Sequence, residues 1–310
     1  MARDSAVQNR HLVTLADWQR DEVEHVLARA AELKASFQQE GPSGELTGKS
    51  LAMIFHKPSL RTRVSFEVGM NQLGGSALFI TDREIGMQSR EPVRDVARVL
   101  SGYVDGIMIR TFDHQLVRRM AQMATVPVIN GLDDRVHPCQ ILADLLTVRE
   151  AGLPLDGIAV AYIGDGNNVA QSWINAAALF ELDLRLAVPE GYEPDDQLVA
   201  VARQRGAKVT ITHDPVVAVA GTHVVYTDVW ASMGQEAEAE VRRQAFQAYQ
   251  VNDALMAGTD PQAIVLHCLP AHRGEEITDE VIEGPRSRIF LQAENRLHAQ
   301  KGLLVTLMAS

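Results

Sequence analysis

The chain has 310 residues, 46% hydrophobic and 22% charged, with a formal net charge of -11. That length exceeds what one hydrophobic core usually supports, so two domains are expected, and the acidic balance argues against a nucleic-acid backbone or an anionic membrane as partner. No run of eighteen apolar residues occurs and no apolar signal core follows the first residues, so a cytoplasmic enzyme is the expectation; Cys139 and Cys268 are too few for a disulfide framework and too far apart for a metal pair.

Short apolar runs alternate with helical patterns along the whole chain. Ser50 to Phe55, Ala77 to Ile80, Gly106 to Ile109 and Val126 to Ile129 read as four strands of an N-terminal domain over residues 1–140. His137 to Arg149 reads as a linking helix, with Pro138 in its first turn and Ile141, Leu142, Leu145, Leu146 and Val148 as its buried face. Ile158 to Ile163, Leu184 to Ala187, Lys208 to Ile211, His223 to Tyr226 and Ile264 to Leu266 then give five strands of a second domain over 150–290. A last helix, Ala293 to Met308, is expected to return to the first domain, which residues 293–310 would complete. Unbroken strand runs separated by helices imply parallel sheets covered on both faces. The fold expected is therefore α/β, two doubly wound domains with parallel sheets linked by two helices.

In such sheets ligands bind beyond the carboxyl ends of the strands, and that is where the unusual residues fall. After the first strand, Lys57-Pro-Ser-Leu-Arg-Thr-Arg63 opens a helix, which places Ser59 to Arg63 where unpaired backbone N–H groups and the positive dipole end favour an anion. Lys57, Arg61 and Arg63 add fixed charge, and an Arg can grip a phosphate through two parallel hydrogen bonds. Four more clusters follow strands: Arg110-Thr111, His137 to Gln140, Asp228 to Gly234 and His267 to Pro270. Together they contain what transfer from an acyl phosphate needs. Arg110, His137, Gln140 and Thr62 can polarise a carbonyl and receive a developing oxyanion, while Asp228 and Cys268 suit an amine nucleophile.

Several other chemistries are disfavoured. Gly164-Asp-Gly-Asn-Asn168 lacks the third glycine of a dinucleotide fingerprint, because Val169 occupies that position, and its two asparagines at a helix start suit a carboxylate. No Gly-x-x-x-x-Gly-Lys-Ser/Thr loop for ATP is present, and no His or Cys spacing points to a metal, so neither a cofactor nor a metal is expected.

Over nearly its whole length the chain resembles the ornithine carbamoyltransferases. The marks are Phe55-His-Lys-Pro-Ser-Leu-Arg-Thr-Arg63 with Ser65-Phe-Glu67, His137-Pro-Cys-Gln140, Gly164-Asp-Gly-Asn-Asn168, Asp228-Val-Trp-Ala-Ser-Met-Gly234, His267-Cys-Leu-Pro270 and Glu294-Asn-Arg296. The resemblance implies transfer from carbamoyl phosphate to the δ-amine of L-ornithine. It implies that Ser59, Arg61 and Thr62, with the backbone of Leu60 and Arg63, cradle carbamoyl phosphate, and that Arg110, His137 and Gln140 hold and polarise its carbonyl. The carbonyl oxygens of Cys268 and Leu269, before a cis Leu-Pro bond, would accept from the carbamoyl NH2, and Arg296 would complete the site. Asn168, Asp228, Ser232 and Met233 match the ornithine-binding positions. Homotrimers or higher assemblies of trimers are implied, with the loop after Gly74-Gly75 reaching into a neighbour's site. The chain departs from the family pattern at Leu60, where a threonine is commoner, and in Asp82 to Glu91, where Arg90 is the nominated contact.

Overall fold

Two parallel sheets carry the fold. The computed structural model describes residues 11–87, 90–232, 234 and 236–309. The chain divides into a unit made of everything up to Leu146 together with Glu294 onward, and a second unit, Thr147–Ala293.

In the first unit the strands are β1 (Ser50–Phe55), β2 (Ser76–Thr81), β3 (Gly106–Arg110) and β4 (Val128–Leu132). They lie in the order β2-β1-β3-β4, all parallel, with Leu51 opposite both Ala77 and Gly106. β3 is buried throughout and β1 in all but its first residue, as an unbroken apolar run in a doubly covered sheet should be. Around them run α1 (Arg20–Glu40), α2 (Leu60–Gln72), α3 (Asp82–Ile85), α4 (Val93–Ser101), α5 (His114–Met123) and α6 (Pro138–Glu150). A core of Ala52, Ile54, Ile107, Ile109, Leu116, Val117 and Met120, among others, fills the space between α4, α5 and the sheet.

The second unit holds β5 (Ala159–Ile163), β6 (Asp183–Ala187), β7 (Lys208–Thr212), β8 (Val224–Thr227) and β9 (Ile264–His267), parallel in the order β7-β6-β5-β8-β9. Its helices are α7 (Asn168–Ala177), α8 (Asp196–Gln204), α9 (Pro215–Val219), α10 (Ala239–Phe246), α11 (Asp253–Met256) and α12 (Asp279–Ile282). The last helix, α13 (Ile289–Met308), begins in this unit, where Ile289 joins the core, and ends in the first. There Gly302 lets it approach α1: a Cβ at that position would lie 2.6 Å from the Val26 carbonyl oxygen. The chain thus passes between the units through α6 and again through α13.

The strand order decides where a ligand can sit. In the first sheet strands are added on opposite sides of β1, so the crevice between the carboxyl ends of β1 and β3 is the topological switch point; in the second it lies between β5 and β8. The segments leaving those four strands begin at His56, Thr111, Gly164 and Asp228.

Two local expectations need correction, and α2 shows which of its faces is inward. The fourth strand runs Val128–Leu132 rather than Val126 to Ile129, because Pro127 has no N–H and because the ladder continues through Asn130 and Gly131, which a search for apolar runs passes over. The last helix starts at Ile289 rather than Ala293, since three consecutive apolar residues, Ile289 to Leu291, conceal its period. In α2 the buried residues are Thr62, Phe66, Gly69 and Met70, whereas Val64 and Val68 face outward.

Candidate active site

Ser59 is the N-cap of α2, and its hydroxyl accepts from the Thr62 N–H at 3.2 Å. The same hydroxyl donates to Thr62 Oγ1 at 3.0 Å, so the cap also orients the Thr62 side chain. Thr62 is fully buried, and its oxygen receives Arg296 Nη2 at 3.1 Å and Arg110 Nη1 at 3.5 Å. Arg110 is the last residue of β3, and Arg296 lies in the part of α13 that belongs to the same unit. The other terminal nitrogen of Arg296 donates to Gln140 Oε1 at 3.0 Å and lies 3.4 Å from His137 Nε2. Gln140 in turn donates to Asp144 at 2.8 Å. Thr62, Arg110, His137, Gln140 and Arg296 therefore form one buried, connected set of donors at the first switch point.

Charge explains the state of His137. Burial, then the positive charges of Arg296, Arg110, Lys57 and Arg61, hold its imidazole well below the ordinary histidine value. A neutral imidazole keeps one N–H for donation. Cys139, between His137 and Gln140, is buried with its thiol pushed up to about 12 by burial and is no nucleophile at neutral pH.

Lys57 and Arg63 both have acidic partners. Lys57 Nζ meets Asp134 at 2.6 Å and lies 4.4 Å from the centre of the Phe112 ring. Arg63 pairs with Glu67 at 3.3 Å and covers Phe79 at 4.0 Å. Their side chains brace the turn through these contacts. The Leu60 side chain is 76% exposed, so its contribution to the turn is its backbone. Arg90, at the end of the Asp82 to Glu91 segment, donates to the Glu84 carbonyl at 3.2 Å.

At the second switch point Asp228, directly after β8, accepts from its neighbour's Val229 N–H at 2.8 Å, from Cys268 Sγ at 2.9 Å and from Asn167 Nδ2 at 2.9 Å. Asn167 is the N-cap of α7, its Oδ1 taking the N–H groups of Val169 and Ala170 and the Tyr162 hydroxyl. Asn168 stands beside it as the first helical residue. Leu269 has φ 58° and its bond to Pro270 is cis. Ser232 lies half-buried in the loop after β8, and Met233 falls outside the described residues.

Asn167, read from the sequence as a carboxylate donor beside Asn168, instead caps α7 and donates to Asp228. The structure adds residues that the sequence pattern did not single out. Asp165 and Arg242 are two: Arg242 Nη1 donates to Asp165 Oδ2 and to the Trp230 carbonyl, both at 2.9 Å. Asp133 is a third. It is fully buried, and it receives His114 Nδ1 at 2.6 Å, Asn130 Nδ2 at 2.8 Å and the N–H groups of Arg135 and Val136. Asp228, His267 and Cys268 bring metal-ligand atom types within 4.8 Å of one another. Their hydrogen bonding is internal, however: Cys268 bonds Asp228, and the His267 nitrogens bond Glu276 and the Leu269 N–H.

Comparison with known proteins places this geometry. Residues 10–150 match the family model described as aspartate/ornithine carbamoyltransferase, carbamoyl-P binding domain, and residues 156–307 match that of the Asp/Orn binding domain. The chain is 56% identical over 300 residues to an ornithine carbamoyltransferase of Pelobacter propionicus, covering 96% of this chain and 98% of the relative. It is 53% identical to one from Symbiobacterium thermophilum, over 98% of this chain and all of the relative. The solved structure of the Pyrococcus furiosus ornithine carbamoyltransferase superposes with a TM-score of 0.92 at 50% identity, covering 96% of this chain and 97% of that one. The chain belongs to the aspartate/ornithine carbamoyltransferase family.

Proposed function

We propose that the chain transfers the carbamoyl group of carbamoyl phosphate to the δ-amine of L-ornithine, giving L-citrulline and phosphate. The observation that carries this reading is the buried donor set of Thr62, Arg110, His137, Gln140 and Arg296 beside the N-terminus of α2. It supplies positive charge and N–H groups where an acyl phosphate needs them and no carboxylate nucleophile.

In this mechanism the phosphate sits on the N–H groups at the start of α2, with the hydroxyls of Ser59 and Thr62 and the charge of Arg61 around it. The carbonyl oxygen faces Arg110, His137 and Thr62. The neutral δ-nitrogen attacks the carbonyl carbon, and the C–O π electrons move onto an oxyanion that those donors stabilise. Collapse breaks the bond to the phosphate oxygen, and the departing phosphate takes the proton from nitrogen, so no strong enzymic base is required. Gln140, Arg296 and the carbonyl oxygens of Cys268 and Leu269 orient the carbamoyl NH2. In the acceptor pocket Asp228 and Ser232 hold the α-ammonium, Asn168 the α-carboxylate, and Met233 borders the site, so that rate comes from orientation.

The first unit is then the carbamoyl-phosphate domain and the second the ornithine domain. A homotrimer fits this reading, since Val64 and Val68 on α2 and Leu78 on the edge strand β2 leave apolar surface uncovered in a single chain. The Asp82 to Glu91 segment adjoins that surface and is the part assigned to a neighbour's site, with Arg90 as its contact. No described helix is long and apolar enough to cross a membrane; neither cysteine is in a disulfide, and a cytoplasmic location fits this reading.

Incubation with carbonyl-labelled carbamoyl phosphate and, separately, L-ornithine, putrescine and L-aspartate tests the assignment. Label is expected in citrulline. Preferential label in carbamoyl-aspartate or carbamoyl-putrescine overturns it.

A further inference from the structure

The acceptor pocket proposed above is built from two segments that leave different strands, the Gly164 to Asn168 turn after β5 and the Asp228 to Ser232 segment after β8. One buried guanidinium joins them. Arg242, only 7% exposed, sends Nη1 both to Asp165 Oδ2 and to the Trp230 carbonyl, each at 2.9 Å. Its Nε reaches Glu238 at 3.3 Å, and its carbon centre lies 4.9 Å from the centre of the Tyr192 ring. Trp230 is midway between Asp228 and Ser232, whereas Asp165 lies two residues before Asn167.

The Asp165 end of this strut is fixed. A Cβ at Gly166 would come within 2.6 Å of the backbone of Tyr192, Glu193 and Pro194, and the Gly166 N–H donates to the Tyr192 carbonyl at 2.9 Å. The turn therefore cannot follow Arg242 if the guanidinium moves. The loop after β8 depends instead on Arg242 remaining where the Asp165 carboxylate holds it.

We propose that Asp165, acting through Arg242, is a positioning residue that sets the separation between the carboxylate and ammonium ends of the ornithine pocket, and that its ionised form is required for tight amino-acid binding. The inference rests on the acceptor-site assignment made above. Asp165 touches no substrate itself.

The groups facing Asp165 define when it is ionised. They are Arg242 from α10, Asp228 after β8, Tyr162 on β5 and, across the guanidinium, Glu238. Burial pushes the Asp165 carboxyl up to about 6, with the Asp228 charge adding to the rise and Arg242 opposing it. Tyr162, raised well above its ordinary value by burial and by these acidic neighbours, stays neutral throughout. The strut is thus complete above pH 6 and is lost as pH falls through that value.

L-norvaline provides the probe, because it has the chain and both α-groups of ornithine without the δ-amine, whose own titration would otherwise dominate. Its inhibition constant against ornithine is measured at saturating carbamoyl phosphate from pH 7.5 to 5. If only the ionised form binds, the constant rises about tenfold over that range. Asp165→Asn is expected to bind norvaline weakly at every pH with a flat profile, and Arg242→Gln, which leaves the carboxylate in place, flattens it too. The carbamoyl-phosphate affinity of both variants stays near that of the parent protein, as a general loss of structure would not allow. A flat parent profile, or an Asp165→Asn variant that keeps the parent's slope, overturns the proposal. Undiminished norvaline binding by Asp228→Asn overturns the pocket assignment itself, and the inference with it.

Discussion

Arg296 Nη2 donates to Thr62 Oγ1 at 3.1 Å, joining two fully or almost fully buried residues that are 234 positions apart in the chain. The contact ties the middle of α13 to the first turn of α2, and through Gln140 and His137 the same guanidinium reaches the start of α6. Replacing Arg296 by Gln should therefore disorganise Thr62, Gln140 and His137 together and remove the substrate contact proposed for Arg296 itself. We expect kcat/KM for carbamoyl phosphate to fall at least a hundredfold, about 3 kcal/mol of transition-state stabilisation. Steady-state kinetics beside a thermal melt check it, and a folded variant within tenfold of the parent would remove Arg296 from the site.

Arg61 gives a contrasting case. Lys57 is held by Asp134 and Arg63 by Glu67, and Arg61, in the first turn of α2, is the cation that the proposed mechanism sets beside the phosphate. Arg61→Ala is expected to leave the melting temperature within a few degrees of the parent while weakening carbamoyl-phosphate binding by about 2 to 5 kcal/mol, the range for losing one partner of a desolvated charge pair. Direct calorimetric titration separates this from a loss of turnover.

Much of this arrangement was legible because it is local. Ser50 to Phe55 is an unbroken apolar run and forms β1 with those bounds; Ser59 is a hydroxyl before a helical pattern and caps α2. The linking helix was legible for the same reason, and it is buried from Pro138 to Val148. What stayed hidden is non-local. Strand order, and with it the two switch points, depends on which runs pair across the sheet, and no periodicity reports that. Arg296 entered through family resemblance alone, since nothing in its own neighbourhood marks a residue whose partner is Thr62. Asp165 and Arg242 carry no signal in either segment and become related only when α10 packs beside the β5 turn. Lys57 and Arg63 show the reverse error, because a cation near an anion site looks available until its own partners are seen.

Two titrations predict the pH behaviour. An alkyl ammonium has a reference pKa of about 10.4, so the neutral δ-amine is scarce at pH 7 and turnover at limiting ornithine should climb into the alkaline range. His137, neutral already at pH 7, adds no limb there. Its effect is on stability: its folded value is depressed, so the folded state binds fewer protons than the unfolded chain just below the reference value of about 6.5. That contribution is complete above about 6.5 and is lost as pH falls toward the folded value. Asp165, raised to about 6, acts in the opposite sense, its contribution being lost as pH rises through 6. Melting curves of His137→Asn against the parent from pH 7.5 to 5 isolate the first effect; the variant should lose less stability on acidification.

Asp133 makes a prediction about a residue outside the donor set. Its Oδ1 holds the Arg135 and Val136 N–H groups, closing the turn that leads into His137, while Oδ2 is held by His114 and Asn130. Asp133→Ala would strand two backbone donors in the interior. A loss of roughly 3 kcal/mol of stability is expected, together with a lower kcat, because His137 would no longer be fixed. Asp133→Asn, which can still accept from the turn, should recover most of the stability. Equal damage from both variants would contradict the turn-closing role.

Selectivity for the acceptor follows from the groups around Asp228. Ornithine and putrescine offer the same reacting amine and differ by an α-carboxylate, so discrimination has to come from the amino-acid end. Asp228 is buried to 7% exposure and already accepts from Val229, Cys268 and Asn167. A carboxylate held in that way is oriented before substrate arrives and retains lone-pair capacity for an α-ammonium. In the proposed pocket Asn168, at the start of α7, would supply a donor and the helix N-terminus for the α-carboxylate. Putrescine leaves the carboxylate donors unpaired, and a site built on buried polar groups rejects such an analogue by about 10⁴-fold or more. N-acetyl-L-ornithine keeps the carboxylate but loses the α-charge and brings an acetyl group against Asp228. L-ornithine should therefore exceed both by several orders of magnitude in kcat/KM at saturating carbamoyl phosphate. Asp228→Asn should narrow the gap by lowering the ornithine value while leaving putrescine almost unchanged. A parent enzyme that turns over putrescine as well as ornithine would show that the Asp228 and Asn168 segments do not read the amino-acid end.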